Sequence, residues 1–546
     1  MPDDQTSVLI VGGGLTGLSA AVFLRVHGVP VTLVERHRGV LLHPRARTVN
    51  PRTLELFHQA GLAEAIVAGR NRAAGELMIT AETLTGRERV RRGAEAPDGE
   101  HLISPCPWTP IDQDRLEVLL RAHAEKLGAN LRFGVELTSF EQDDDGVVAS
   151  VRDAAGGPAG VVRASYLIAA DGCGSPVRRR LGIGRPGPGL LGSTMTLVFD
   201  ADLDEHVRGR SIAVCHVDHP APGTVLLPHD GRGRWVFSTP WEPARPGGSA
   251  DTDGPIDLDD ERALLLIRAA VGDPGLRARV VPQLDDGTRF LRYDIEAFVA
   301  ERFRAGRVFL AGDAAHAMPP VGALGSGTGI QDAHNLAWKL AAVLAGRAGP
   351  ALLDTYEAER GPVAEFTLRQ ALLLMRDRTG RDVLGTDEPA AAYDSVVFGY
   401  RYPAPGGETA VHGAGGPVPA AVAPEELTGL PGTRAPHVTI RYEGRVCSTL
   451  DLYGSDAVLI AGPEGAEWAA ATTAAAERLG TPLRVHRLGA DLDDPDQWCR
   501  RHRVGPAGAV LVRPDGFVAW RAADGPAGVD PDTAVADALS GLWCLA

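Results

Sequence analysis

Lysine is almost absent: Lys126 and Lys339 are the only two in 546 residues, and arginine carries the rest of the positive charge. Chemistry that needs a reactive amine therefore has few places to go, and neither lysine sits in a recognisable motif. Cysteine is also sparse. The six cysteines (106, 173, 215, 447, 499 and 544) form no CxxC pair and no Cys/His cluster at zinc spacing, so nothing suggests a disulfide scaffold or a structural metal. No run of 18 or more apolar residues reads as a membrane span, and the polar opening Met1-Pro2-Asp3-Asp4 lacks the basic and apolar parts of a signal peptide. A reducing cytoplasm is the expected location. A net charge of −15 speaks against nucleic acid as a partner, because phosphates attract clustered basic surface. There is no Ser-His-Asp pattern, no HExxH and no P-loop.

What remains is an ordinary globular composition, 44% hydrophobic and 23% charged, on a chain long enough for two to four domains. Ser7–Val11 is a short β-rich run, followed by glycines and then by helical spacing from Leu15 to His27. Gly28 closes that helix, and Val31–Val34 forms a second β-branched run ending on Glu35. This is a βαβ unit. The pattern predicts helices over 48–69 and 114–127, and strands over 76–104, 131–152 and 161–170. Between 190 and 298 short strands alternate with Gly/Pro-rich turns, with one helix at 259–271. The strand Val308–Ala311 and a helix over 331–344 restore the first pattern. Beyond a Gly/Pro-rich stretch at 404–424 a last αβ segment ends in a hairpin turning at Pro514-Asp515-Gly516.

Gly12-x-Gly14-x-x-Gly17 alone is a weak motif. Here it follows a strand, opens a helix, and precedes Glu35 at the end of the next strand, which completes the dinucleotide fingerprint. Gly12 permits the turn, Gly14 lets a pyrophosphate approach the backbone, and Gly17 lets the helix pack on the sheet. The amides of Leu15 and Thr16 then open a helix whose N-terminus attracts a diphosphate. Glu35, with Arg36 beside it, is placed to reach ribose hydroxyls. Two further strands end in carboxylates, at Asp171-Gly172 and Gly312-Asp313. Such an aspartate can bind ribityl hydroxyls, or for Asp171 serve as a turn and cap.

With these stretches in this order, the sequence resembles the FAD-dependent aromatic hydroxylases, the single-component p-hydroxybenzoate hydroxylase-like flavoproteins. It is similar above all to those acting on aromatic polyketides. The longest likenesses are His43–Glu55, Gly329–Leu340 and Val510–Gly516. The resemblance implies an α/β fold: a Rossmann-like FAD-binding domain (1–75, 101–190 and 299–400) with an inserted β-sheet substrate domain (76–100 and 191–298). A linker (401–424) then leads to a thioredoxin-like domain (425–546) with Gly462-Pro463-Glu464-Gly465 where CxxC belongs. It implies roles for Arg45 at the pyrophosphate or flavin edge, for Gln113 at the flavin or ribityl chain, and for Asp313 at ribityl or pyrophosphate-linked oxygens. The loop holding Gly325, Ser326, Gly327, Thr328 and Gly329 is expected along the flavin ring. That loop departs from the family's Gly-Gly-x-Gly-x-Asn, with Ala323 at the second glycine and Gly327 at the asparagine.

The implied activity is NAD(P)H- and O₂-dependent hydroxylation of a polycyclic aromatic, polyketide-type substrate through a flavin C4a-hydroperoxide. NADPH or NADH would visit transiently, since no second fingerprint is present. Baeyer–Villiger or epoxidising oxygen insertion, antibiotic inactivation, and a non-catalytic flavin-fold partner protein are the alternatives. Trp108, His216, Trp235, Phe237 and Tyr293 are candidates for the pocket wall, with core packing the plainer role for each. The resemblance leaves monomer and homodimer both open.

Overall fold

A computed structural model describes residues 4–39, 46–72, 74–93, 103–157, 159–229, 233–241, 258–284, 287–403, 420–493 and 495–545. Arg45, in the 40–45 segment, and most of the 401–424 stretch lie outside the described residues.

The opening βαβ unit follows its apolar spacing. β1 (Asp4–Val11) runs into Gly12, α1 (Leu15–Val26) buries Leu18, Ala21, Val22 and Leu24, and β2 (Val31–Glu35) returns parallel, with Val8 opposite Val31. Next come α2 (Pro51–Gln59), α3 (Gln113–Lys126), β3 (Asn130–Phe133), β4 (Ala159–Ala169) and α4 (Pro176–Arg180). Later in the chain β5 (Val308–Leu310), α5 (Leu324–Leu344) and α6 (Thr355–Thr379) complete this unit. Its parallel strands lie in the order β5-β4-β1-β2-β3, with β1 at the centre. Ligands of such sheets sit beyond the carboxyl ends of the strands. Gly12, Glu35, Asp171 and Asp313 all lie there.

One predicted helix is two. Residues 48–69 divide into α2 and a short helix over Ala63–Ala68, and Thr48–Val49 pairs with Thr109–Pro110 as a small ladder. Gly61 causes the break: at φ +72° it adopts the left-handed region, while Leu62 N–H bonds back to the Phe57 carbonyl.

Among the described residues the second sheet has nine strands. Gly189–Asp200 lies between Phe290–Val299 and Arg234–Pro240, and Ile212–Val217 pairs in parallel with Leu77–Ala81. A helix over Asp260–Val271 covers one face and shares a core with Met195, Leu197, Phe199, Trp235 and Phe237. At its edge, His316–Ala317 pairs with Val299, tying this sheet to the turn after β5.

The last unit contains β6 (Ala457–Ala461), α7 (Ala466–Leu479), β7 (Leu483–Arg487), β8 (Ala509–Val512), β9 (Val518–Ala522) and α8 (Pro531–Trp543). Its sheet runs β7-β6-β8-β9, parallel between β6 and β7 and antiparallel elsewhere. Alternation along β6 sends Leu459 under α7 and α8, and Val458 and Ile460 to a second core around Trp498. The first of these cores continues into Trp338 and Ala342 of α5, so the unit is docked through apolar packing. Among the described residues no helix is long and apolar enough to cross a membrane, and no cluster of His, Cys, Asp and Glu could hold a metal. All six cysteines are free.

Candidate functional site

The glycines of the fingerprint differ in what surrounds them. Gly12 stands at φ +110°, and a Cβ there would lie 2.2 Å from the Ala170 carbonyl oxygen. A Cβ on Gly17 would lie 1.9 Å from the Gly12 carbonyl oxygen, so α1 packs on β1 only because the side chain is missing. Gly14 is open: the nearest atom to its would-be Cβ is Glu117 Oε1, at 4.0 Å. It is also the N-cap of α1 and offers no side chain to the helix amides. Unpaired N–H groups at the head of a helix, with free space before them, suit an anion.

Glu35 is turned towards its own loop. Its Oε2 accepts from Gly13 N–H at 2.7 Å, and its Oε1 accepts from His37 N–H at 2.8 Å and lies 2.8 Å from His37 Nδ1. Burial pushes its pKa up, but these bonds outweigh burial and hold the carboxyl below its ordinary range. Arg36 is exposed beside it.

Asp171 and Asp313 stand at the ends of β4 and β5, joined by Arg178. That guanidinium donates to the Ala314 carbonyl and to the Cys173 carbonyl, each at 2.7 Å. Asp171 Oδ2 caps α4 by accepting from Val177 N–H at 3.1 Å, while its buried Oδ1 has no protein partner. Burial pushes this carboxyl up. Asp313 is exposed in the Gly312–Ala314 turn.

Gln113 opens α3 and pins the chain before α2. Its Oε1 accepts from Ala46 N–H at 3.0 Å, its own N–H donates to the Ala46 carbonyl at 2.8 Å, and its Nε2 donates to Glu117 at 2.8 Å. Preceding it, Asp112 accepts from Arg47 at 2.6 Å and from Asn71 at 2.8 Å, with His229 3.3 Å away. Burial favours the neutral acid, yet His229 and Arg47 hold Asp112 low. Arg47 also donates to the Pro228 carbonyl, so this cluster joins the first unit to the second sheet.

The turn at Gly322–Ala323 and the first turns of α5 close the site; residues 325–329, expected as a loop, are already helical because α5 starts at Leu324. Ala323, its N-cap, takes the left-handed conformation at φ +53° and contributes no side-chain cap. A Cβ on Gly327 would lie 2.7 Å from Asn50 Nδ2 and 3.2 Å from Thr53 Oγ1. The amide of Asn50, whose Oδ1 caps α2 at Thr53 N–H (2.8 Å), thus fills the space of a side chain at 327. One cavity is lined by Leu15 from the head of α1, by Ala323, Ser326 and Gly327 from the head of α5, and by Asn50 and Thr53. Two uncapped helix N-termini converge on it. Such donors suit a diphosphate and an electron-rich ring that becomes anionic on reduction. Together with the open cradle at Gly14 and the unpartnered Asp171 oxygen, this donor set fits FAD.

A buried residue that the motifs did not single out organises the loop. Asp332 accepts from Gly312 N–H at 3.1 Å, lies 2.6 Å from His316 Nε2, and accepts from Arg360 Nε at 2.6 Å; all three side chains are 0% exposed. Burial opposes its charge, and Arg360 and His316 keep it ionised. Arg360 also donates to the Thr328 carbonyl at 3.1 Å, so one arginine ties the first turns of α5, through Asp332, to the Gly-Asp turn. The stretch Gly329–Leu340 contained Asp332, but its partner lies 28 residues away on α6, beyond the reach of a local pattern.

Of the pocket-wall candidates, Trp235 and Phe237 are core residues of the second sheet. Trp108 packs on Tyr393 with ring centroids 5.2 Å apart, and the Tyr393 hydroxyl donates to the Gly322 carbonyl at 2.5 Å, which places Trp108 beside the flavin loop. Burial, with Arg378 nearby, pulls His216 down to about 4, so it is neutral at physiological pH.

Two family models match the chain: an FAD binding domain over residues 5–371, and the C-terminal domain of aromatic-ring hydroxylases over 428–542. The tetracenomycin A2 monooxygenase-dioxygenase of Streptomyces glaucescens is 42% identical, over 96% of this chain and 94% of its own. The aklavinone 12-hydroxylase of Streptomyces purpurascens is 38% identical, over 99% and 98%. The crystal structure of an aklavinone-11 hydroxylase with FAD and aklavinone superposes with a TM-score of 0.88 at 36% identity, covering 100% of both chains. The chain belongs to the FAD-binding aromatic-ring hydroxylase family and is an FAD-dependent monooxygenase.

Proposed function

We propose that this enzyme hydroxylates a polycyclic aromatic substrate of polyketide type, drawing electrons from NADPH or NADH and oxygen from O₂. The observation that carries this reading is the full-length likeness to a hydroxylase solved with FAD and a polycyclic aromatic ligand, C-terminal domain included. Bound FAD supplies the redox and oxygen-transfer chemistry, so no metal or protein nucleophile is needed.

The chain's own residues bind and orient. In this reading Gly12, Gly14, Leu15, Thr16 and Gly17 present amides to the diphosphate, and Glu35 and Arg36 border the ribose. Arg45, Gln113, Asp171 and Asp313 serve the pyrophosphate and ribityl chain. Gly325, Ser326, Gly327, Thr328 and Gly329 offer backbone donors where negative charge develops. Trp108, against Tyr393, provides an aromatic wall near that loop and helps to exclude water.

Purified protein should be yellow, with about one FAD per chain. NAD(P)H oxidation should quicken on adding a polycyclic phenol, and the product mass should rise by one oxygen. A colourless protein that cannot be reconstituted with FAD sinks the proposal. A flavoprotein that inserts oxygen between a carbonyl and its ring carbon replaces hydroxylation with Baeyer–Villiger chemistry.

A further inference from the structure

The C-terminal domain has no CxxC pair, yet its β8–β9 hairpin drives charged groups into the first unit. Arg513 makes a two-pronged bond to Glu359 of α6, at 2.7 and 2.8 Å. Lys339 and Asn335 of α5 reach the same carboxylate, each at 2.7 Å. Asp515 accepts from Arg513 at 2.6 Å and from Trp338 Nε1 at 3.2 Å. Its backbone carbonyl accepts from Arg52 of α2 at 3.1 Å. Phe517 stacks on Tyr402, with ring centroids 4.1 Å apart, and the Tyr402 hydroxyl lies 3.2 Å from Arg360. Every one of these side chains is buried.

The routes converge. Arg52 belongs to α2, whose first residues abut Gly327. Asn335, Trp338 and Lys339 belong to α5, whose head is the flavin loop. Arg360, next to Glu359, holds Asp332 and the Thr328 carbonyl. The hairpin thus grips α2 and α5, two of the helices that line the cavity, through residues that do not line it.

We propose that the Arg513–Phe517 hairpin positions the flavin cleft: Arg513, Asp515 and Phe517 brace α2, α5 and α6 so that Ala323 and the first turns of α5 hold their binding geometry. The C-terminal domain is then a positioning element of the active site and not a thiol-exchange module. Packed networks of this kind transmit restraint because buried charges hold one another in place. The inference rests on FAD occupying this cleft.

The test compares Arg513→Gln, Trp338→Phe and, as an interface control away from the hairpin, Gln59→Ala, which removes only a 3.4 Å bond to the Leu450 carbonyl. Amide hydrogen exchange is followed in the full-length apoprotein, and FAD affinity by flavin fluorescence. Exchange at 327–329, the first amides of α5 with intrahelical partners, should speed up about tenfold in Arg513→Gln and about threefold in Trp338→Phe, with FAD affinity weakening in the same order. Gln59→Ala should leave both unchanged, and amides of β6 should keep wild-type protection in all three. If Arg513→Gln does not fold, Trp338→Phe decides. Exchange confined to the C-terminal domain, or a loss of thermal stability with wild-type exchange at 327–329, overturns the proposal. A wild-type protein that never binds FAD defeats the functional reading instead, while the exchange comparison in apoprotein still stands.

Discussion

At residue scale, neighbouring glycines of one motif perform separable tasks. Gly17→Ala must push α1 off β1, because its Cβ has no room against the Gly12 carbonyl. A loss of about 3 kcal/mol in urea unfolding is expected. Gly14→Ala meets open space, so the thermal midpoint should stay near wild type while FAD affinity falls about tenfold or more. Equal destabilisation by the two substitutions would contradict the assignment. Ala323 is the converse case, a side chain held at φ +53° where glycine is at ease. Ala323→Gly should stabilise the apoprotein by about 1 kcal/mol, read from the same unfolding curves.

At the scale of elements, α5 and α6 are joined by carboxylates that are ionised inside the protein. Burial would push Glu359 up, but Arg513 and Lys339 hold it down to about 2, against an ordinary value of 4.5. Asp332 is lowered as well. Since the unfolded chain binds more protons than the folded one between these values, stability rises with pH across that window. The thermal midpoint should hold from neutral pH to about 4.5 and then fall as pH approaches 2. In Glu359→Gln the fall should be shallower from a lower starting point; an unchanged acid limb would show that this carboxylate is not the one responsible.

The βαβ unit, the strand-end carboxylates and the closing hairpin were legible because each is written in a local period or turn. The division at Gly61 was missed because a helical period continues through a glycine until its φ is known. Asp112 and Asp332 were passed over for another reason. Their significance lies in Arg47, Asn71, His229 and Arg360, partners brought in by tertiary packing. The Asn50 amide that fills the side-chain space at Gly327 likewise comes from the cap of another element, α2, which no local pattern around residue 327 specifies.

For the whole molecule, the C-terminal domain completes cores that the rest of the chain leaves open. Trp338, Ala342 and Leu352 share a cluster with Leu459, Leu539 and Trp543. A chain ending at residue 403 would expose that surface and leave Glu359 and Lys339 buried without Arg513. It should elute from size exclusion as aggregate and retain no FAD; a soluble, yellow monomer would show that the first two units suffice.

The scarcity of lysine turns this interface into something that can be watched. Lys126 is exposed at the end of α3, whereas Lys339 is fully buried, and burial together with Arg513 lowers it to about 8 despite the opposing pull of Glu359. An amine-directed reagent should therefore mark Lys126 and spare Lys339 until the last domain lifts away. Mass spectrometry of that one peptide would time the undocking without any engineered probe.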